Sequence, residues 1–227
     1  MELVNPLPTA LRADLNEDMT MQLPRRQLAS PAPASATEPP LPDLQDFVSL
    51  DDSGEFNYHP TAQALLASFD VPAEVVCIVD REGIAHGLRS DQNGRLGLGR
   101  ALGRVDFHWL RQTWLRTQKL RPQSYPLHRL PPASTFSLLR GMFEALQLEA
   151  HPCRYPLPWT VSLPDRVSHP LDLTAVDRLL AEVPDLAQVS VQDPFGHRYA
   201  PVRHHTHRFL APATGYICYV ESPNRLE

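Results

Sequence analysis

Proline placement constrains this chain more firmly than any other feature. Of 227 residues 24 are proline, and each one bars a helix interior and removes a ladder donor from a strand. Eight fall within residues 1–58, where SPAPASATEPPLPD (30–43) combines Pro, Ala, Ser and acid with almost nothing to bury. Such a segment cannot offset the entropy of ordering, so 1–58 reads as a disordered acidic tail or linker and 59–227 as the folded part, with halves at 59–150 and 151–227. Within the tail, Leu11 with Met19 and Met21, and Leu44 with Phe47, Val48 and Leu50, are short apolar clusters of the kind that dock onto partners or, more often, pack onto their own domain.

Beyond the tail the prolines fence off a few windows. QALLASF after Thr61 is a short helix, and EVVCIVD (74–80) is a buried strand turned by Asp80-Arg81-Glu82-Gly83 into a second strand, IAHGL. SDQNGRLGLGRALGR (90–104) is so rich in glycine and arginine that loop is expected for most of its length. In 105–120, Phe107, Leu110 and Trp114 recur at helical spacing with Trp109 and Leu115 beside them. Pro122, Pro126, Pro131 and Pro132 then forbid helix until Ser134. After it, Phe136, Leu139, Met142, Phe143 and Leu146 carry the clearest helical period in the chain.

Five prolines between 150 and 170 leave room only for an edge strand, WTVSL at 159–163. LDLTAVDRLLAEV (171–183) is a helix stopped by Pro184, with Leu173, Val176, Leu179 and Leu180 inward. AQVSVQD (187–193) and HRYAPVR form a hairpin about Pro194-Phe195-Gly196. GYICYVES (215–222) is a last strand with Tyr216, Cys218 and Val220 on one face and Ile217, Tyr219 and Glu221 on the other. The fold class is therefore α+β (or α/β), antiparallel hairpins packed with three to four helices.

One similarity recurs within the chain. TAQALLASFDVPAEVVCIVDREG (61–83) and TAVDRLLAEVPDLAQVSVQDPFG (174–196) share Thr-Ala, a leucine-rich helix, a proline, an apolar strand and Asp-x-x-Gly, displaced by 113 residues. Both read as helix, strand, turn, strand. The element order of 60–118 resembles the roadblock/profilin-like family of small interaction domains over roughly a quarter of the chain, as a pattern without a diagnostic motif. The resemblance implies non-catalytic scaffolding. The second unit departs from it, because 203–214 leaves no space for that family's second helix.

Charge is polarised behind a net value of -5. Residues 1–58 hold three basic and ten acidic side chains, whereas 89–140 hold ten basic ones and only Asp91 and Asp106. Either the basic middle meets an anionic partner, or the acidic tail folds back on it, or it is simply a solvated face. No stretch is apolar for long enough to cross a membrane, and the N-terminus lacks the basic start and apolar block of a secretory signal. Cys77, Cys153 and Cys218 have no close spacing, which argues against a disulfide framework and for a cytoplasmic location.

Three sets of residues could carry chemistry. Arg95, Arg100 and Arg104, spaced by glycines, together with Arg111 suit an anionic backbone better than a dinucleotide, since no acid stands where a ribose would need one. His205 and His207 share a strand face as H-x-H pairs do in zinc and iron sites, and His197 is the nearest third donor, or else His151 or Cys153. No carboxylate lies between Asp193 and Glu221, and a solvated basic loop is the favoured reading, so no cofactor is expected and zinc or iron is the alternative. Cys77 lies in a buried strand, with His86 across the hairpin, and packs as a small hydrophobe. Asp80 and Asp193 are at turn positions where a carboxylate caps backbone N–H groups. Without a complete catalytic set, the chain reads first as a non-enzymatic adaptor or regulatory protein that binds another protein. A nucleic-acid-binding protein using 89–140 is the alternative, and a metal-dependent enzyme at His205 and His207 the third.

Overall fold

Each Asp-x-x-Gly turn expected from the sequence is built, and each sits in its own sheet. The computed structural model describes residues 45–150, 157–206 and 214–223, and the expected tail up to residue 44 lies outside them. In chain order the described elements are β1 (Phe47–Asp51), β2 (Phe56–His59), α1 (Ala62–Leu66), β3 (Val75–Asp80), β4 (Ile84–Ser90), β5 (Leu96–Arg104), α2 (Phe107–Leu120) and β6 (Leu127–His128). There follow α3 (Thr135–Ala150), β7 (Thr160–Ser162), β8 (Val167–Ser168), α4 (Leu173–Ala181), β9 (Ser190–Gln192), β10 (Arg198–Thr206) and β11 (Thr214–Glu221). The fold is α+β, with no helix among the described residues long and apolar enough to cross a membrane.

The first sheet has the order β2-β1-β3-β4-β5 and the second β6-β11-β10-β9-β7-β8. Setting β6 aside, the two orders are the same: a ββαβββ unit occurs twice, with β7–β11 repeating β1–β5. Every pairing is antiparallel except that of β6 with β11, where Tyr219 lies beside Leu127 and Val220 beside His128.

The turns are matched atom for atom. In the first, Asp80 Oδ1 accepts from the N–H groups of Glu82 (3.0 Å) and Ile84 (2.8 Å). In the second, Asp193 Oδ1 accepts from Phe195 and His197, both at 2.9 Å. Gly83 and Gly196 close them at φ of 79° and 93°, a region where any Cβ would be strained. Asp106 and Asp172 cap the first turns of α2 and α4 by accepting from Trp109 and Ala175, and Thr61 does the same for α1.

One core joins the units. Val48, Leu50, Phe56 and Val79 of the first sheet meet Leu110 and Trp114 of α2 and Leu139, Met142 and Phe143 of α3, and continue into Trp159, Val161, Val176, Val191, Tyr199 and Tyr219. Burial of each large side chain here contributes about 1.5–3 kcal/mol. The opposite face of the first sheet holds a small separate cluster, Phe47, Leu65 and Ile78, under α1. A cavity of about 10 Å³ between the first sheet, α2 and α3 has an apolar lining and no room for a substrate.

Four expectations need correction. The folded part begins before Phe47, not at His59: β1 and β2 occupy 47–59, and β1 is an interior strand with Phe47, Val48 and Leu50 buried. The glycine-rich stretch is not loop over 96–104 but strand β5, because its glycines let two backbones close. A Cβ on Gly99 would lie 2.9 Å from the Gly87 carbonyl oxygen. The strand at 159–163 is not at an edge, since β7 pairs with both β8 and β9. Phe136 faces solvent at 73% exposure, and Leu138, Ala145 and Leu148 complete the α3 stripe instead. Pro201 is tolerated within β10 because pairing with β9 stops at Tyr199.

Candidate functional site

Three of the four arginines expected to meet an anion belong to one hairpin. Arg95 ends the β4–β5 turn, where its N–H donates to Asp91 Oδ1 at 2.8 Å. Arg100 and Arg104 lie on β5, and all three are exposed. Arg111 stands apart on α2, its Nε donating to the Pro132 carbonyl at 3.2 Å. Within β5 the exposed part runs from Arg100 to Arg104 and includes Leu102 at 66% exposure. Opposite β4 the register slips at Ala85/His86 and again between His86 and Leu88. Among the described residues no further strand is paired beyond β5, so along its nine residues about every second N–H and C=O points away from the sheet.

The histidines divide differently from the sequence expectation. His207 lies outside the described residues, as do His151 and Cys153, and of His205 the strand position alone is described, beside Gly215. His197 is engaged at both ring nitrogens: Nδ1 is 2.6 Å from Glu221 Oε1 and Nε2 is 3.0 Å from Glu144 Oε2. These two carboxylates, Glu144 foremost, raise its pKa from 6.5 to about 9, so the ring is a protonated donor with no lone pair to offer a metal. Its two partners are held below the usual carboxylate range by the hydrogen bonds from His197, against the opposing pull of burial. Among the described residues no group of three or more His, Cys, Asp or Glu is placed to hold a metal ion.

That imidazole belongs to a network no sequence motif announced. Arg129, with 8% of its side chain exposed, lies 3.0 Å from Asp193 Oδ2 and 3.3 Å from Glu144 Oε2. Asp193 Oδ2 also accepts from Tyr199 Oη at 2.9 Å, and Arg140 Nε donates to Glu144 Oε1 at 2.9 Å. The members come from the β6–α3 connection, α3, the β9–β10 turn, β10 and β11, so the network ties the second sheet to α3. In the first unit the corresponding Asp80 Oδ2 is met by His86 Nε2 at 2.8 Å and by Gln45. Cys77 is a half-buried thiol, its pKa pushed by burial up to about 11, and His86 across the hairpin is bonded to Asp80.

The last feature is a face. On β10 and β11, Ala200, Val202 and His204 pair with Val220, Cys218 and Tyr216. This is the face away from α4, whose side of the sheet holds Tyr199, Tyr219 and Arg203. Arg203 reaches the α4 C-terminus through Leu180 and Val183 carbonyls. Cys218 is sealed next to the Pro122 carbonyl, but Val202 and Val220 are 40% and 44% exposed and the His204 ring stacks on Tyr216 at 5.2 Å. In the first unit α2 and α3 cover the equivalent face over β1 to β3, at Val48, Leu50, Phe56 and Val79.

No protein-family model, curated protein or solved structure matches the chain.

Proposed function

We propose that this chain is a non-enzymatic protein-interaction module of adaptor or regulatory type. The observation that carries the reading is the bare outward face of β10 and β11. Two valines and a stacked His204–Tyr216 pair lie at the surface on adjacent strands, while in the sister unit two helices cover the same face over β1 to β3. Contiguous apolar surface on a sheet is more costly to leave in water than scattered side chains and commonly marks a contact surface.

The test is photo-crosslinking from Val220 in native lysate after nuclease treatment. A discrete protein adduct is expected, and it should be lost in V202E/V220E, whose far-UV circular dichroism and melting midpoint stay near those of the parent chain. Adducts to nucleic acid alone, or protein adducts unchanged in the double variant, would remove this reading. A second reading, nucleic-acid binding, is favoured by the exposed Arg95, Arg100 and Arg104 without an acid between Asp91 and Asp106. It requires affinity for DNA or RNA that falls steeply with salt, by a slope near the number of phosphate contacts.

A further inference from the structure

We propose that β5 is a docking edge for an extended acidic segment of a partner protein, added to the first sheet as a sixth strand. The inference rests on the interaction reading above, but on a different surface.

Edge length comes first. The two sheets have four edges, and three are short: β2 has four residues, β6 two and β8 two. Short edges offer little to an incoming strand, which is how sheets avoid unwanted pairing. β5 has nine residues, and among the described residues no strand pairs with its outer edge.

The sister unit shows what such a strand accepts. β11 occupies the place of β5, and its outer edge is taken by β6, an extended segment lying between Pro126 and Pro131. Tyr219 N donates to the Pro126 carbonyl at 2.8 Å. Among the described residues, the same unit thus carries a strand on one copy of this edge and none on the other.

Charge then selects the occupant. Arg95, Arg100 and Arg104 punctuate the edge, and between Asp91 and Asp106 no acid offsets them. A second copy pairing through β5 would set arginine beside arginine, because antiparallel pairing centred on Gly99 and Arg100 brings Arg95 against Arg104. Like charges directly opposite are destabilising. Nucleic acid matches the arginines but not the ladder: the edge alternates N–H with C=O, and phosphate can only accept. An acidic extended peptide satisfies both, with its own alternating backbone against β5 and carboxylates against the guanidiniums. Leu102, 66% exposed, supplies apolar contact in the same stretch.

The test uses the full chain and three probes at low salt: the peptide acetyl-TEVETEVE-amide, its counterpart with lysine at every glutamate, and an eight-nucleotide oligo-dT. Residue-resolved amide exchange is read over Leu96–Arg104. The acidic peptide is expected to slow exchange there, and the lysine peptide to leave it unchanged. In R100E/R104E the preference should invert, with the acidic peptide weakened about tenfold or more and the lysine peptide now slowing the same amides. That gain also establishes that the variant is folded. The proposal is overturned if neither peptide alters these amides. It is equally overturned if oligo-dT slows them more than the acidic peptide, or if they are already slow in peptide-free protein and slower at higher protein concentration, the mark of a second copy. A negative result at β5 with a Val220 crosslink that survives nuclease would remove this proposal and leave the interaction reading standing.

Discussion

The two ββαβββ units share a strand order and an aspartate turn but are finished differently. In the first, α2 and α3 cover the face away from α1 over β1 to β3, and among the described residues no strand lies beyond the outer edge, β5. In the second, β6 closes the outer edge, and the face away from α4 is bare. What differs is where each unit leaves backbone or apolar surface unsatisfied, and those are the places where contact can be made. The turns differ in the same spirit: Asp80 holds a histidine and a glutamine, whereas Asp193 anchors a buried ion network.

The largest break in that comparison should come from the two aspartates. D193A strips partners from Tyr199 and from an Arg129 side chain only 8% exposed, and is expected to cost about 3–5 kcal/mol, the range for breaking a buried pair. D80A removes two turn hydrogen bonds and the His86 contact and should cost about 1–3 kcal/mol. Urea unfolding of both variants is the check, and equal losses would mean that the network adds nothing beyond the turn.

Next in size is an opposite pH response from two histidines. His197, raised to about 9, contributes stability that is full below 6.5 and is lost as pH rises through 9. Glu144 and Glu221, lowered, contribute stability present above about 4.5 and lost as pH falls through their native values. His59, in the first unit, is lowered to about 4 by burial, so its contribution is present above 6.5 and lost as pH falls through 4. Melting temperature against pH should therefore lose its alkaline decline in H197Q and part of its acid decline in H59Q. An alkaline decline that persisted in H197Q, or one that vanished in H59Q, would contradict the assignment.

The smallest effect is at the two faces themselves. V79T buries a hydroxyl under α2 and α3 and is expected to cost about 1–3 kcal/mol, while V202T on the bare face should stay within about 0.5 kcal/mol. Comparable losses would mean that the outward face is covered in the free protein.

Much of this architecture was legible where the period was long. α2 and α3 repeat apolar residues over four turns, and the D-x-x-G pairs at an offset of 113 marked both hairpins. β1 and β2 escaped because acids surround them, yet those acids have structural roles. Asp51 Oδ1 accepts from Glu55 N and Ser53 Oγ in the turn, and Asp46 pairs with Arg81. β5 escaped because glycine is a poor strand former in general, although a close approach such as Gly99 to Gly87 demands it. The ion network had no sequence signal at all, since Arg129, Glu144, Asp193, His197 and Glu221 come together only when the second sheet is built against α3.

Amide exchange, resolved by residue across β5 and β11 in dilute protein without added ligand, tests the contrast between a capped and an open edge most directly. The two strands are equivalent in topology and nearly equal in length. The account expects strong protection throughout Tyr219 and Val220, where β6 is paired, and rapid exchange at about every second amide between Leu96 and Arg104. Uniform slow exchange along β5, matching that of β11, would contradict it.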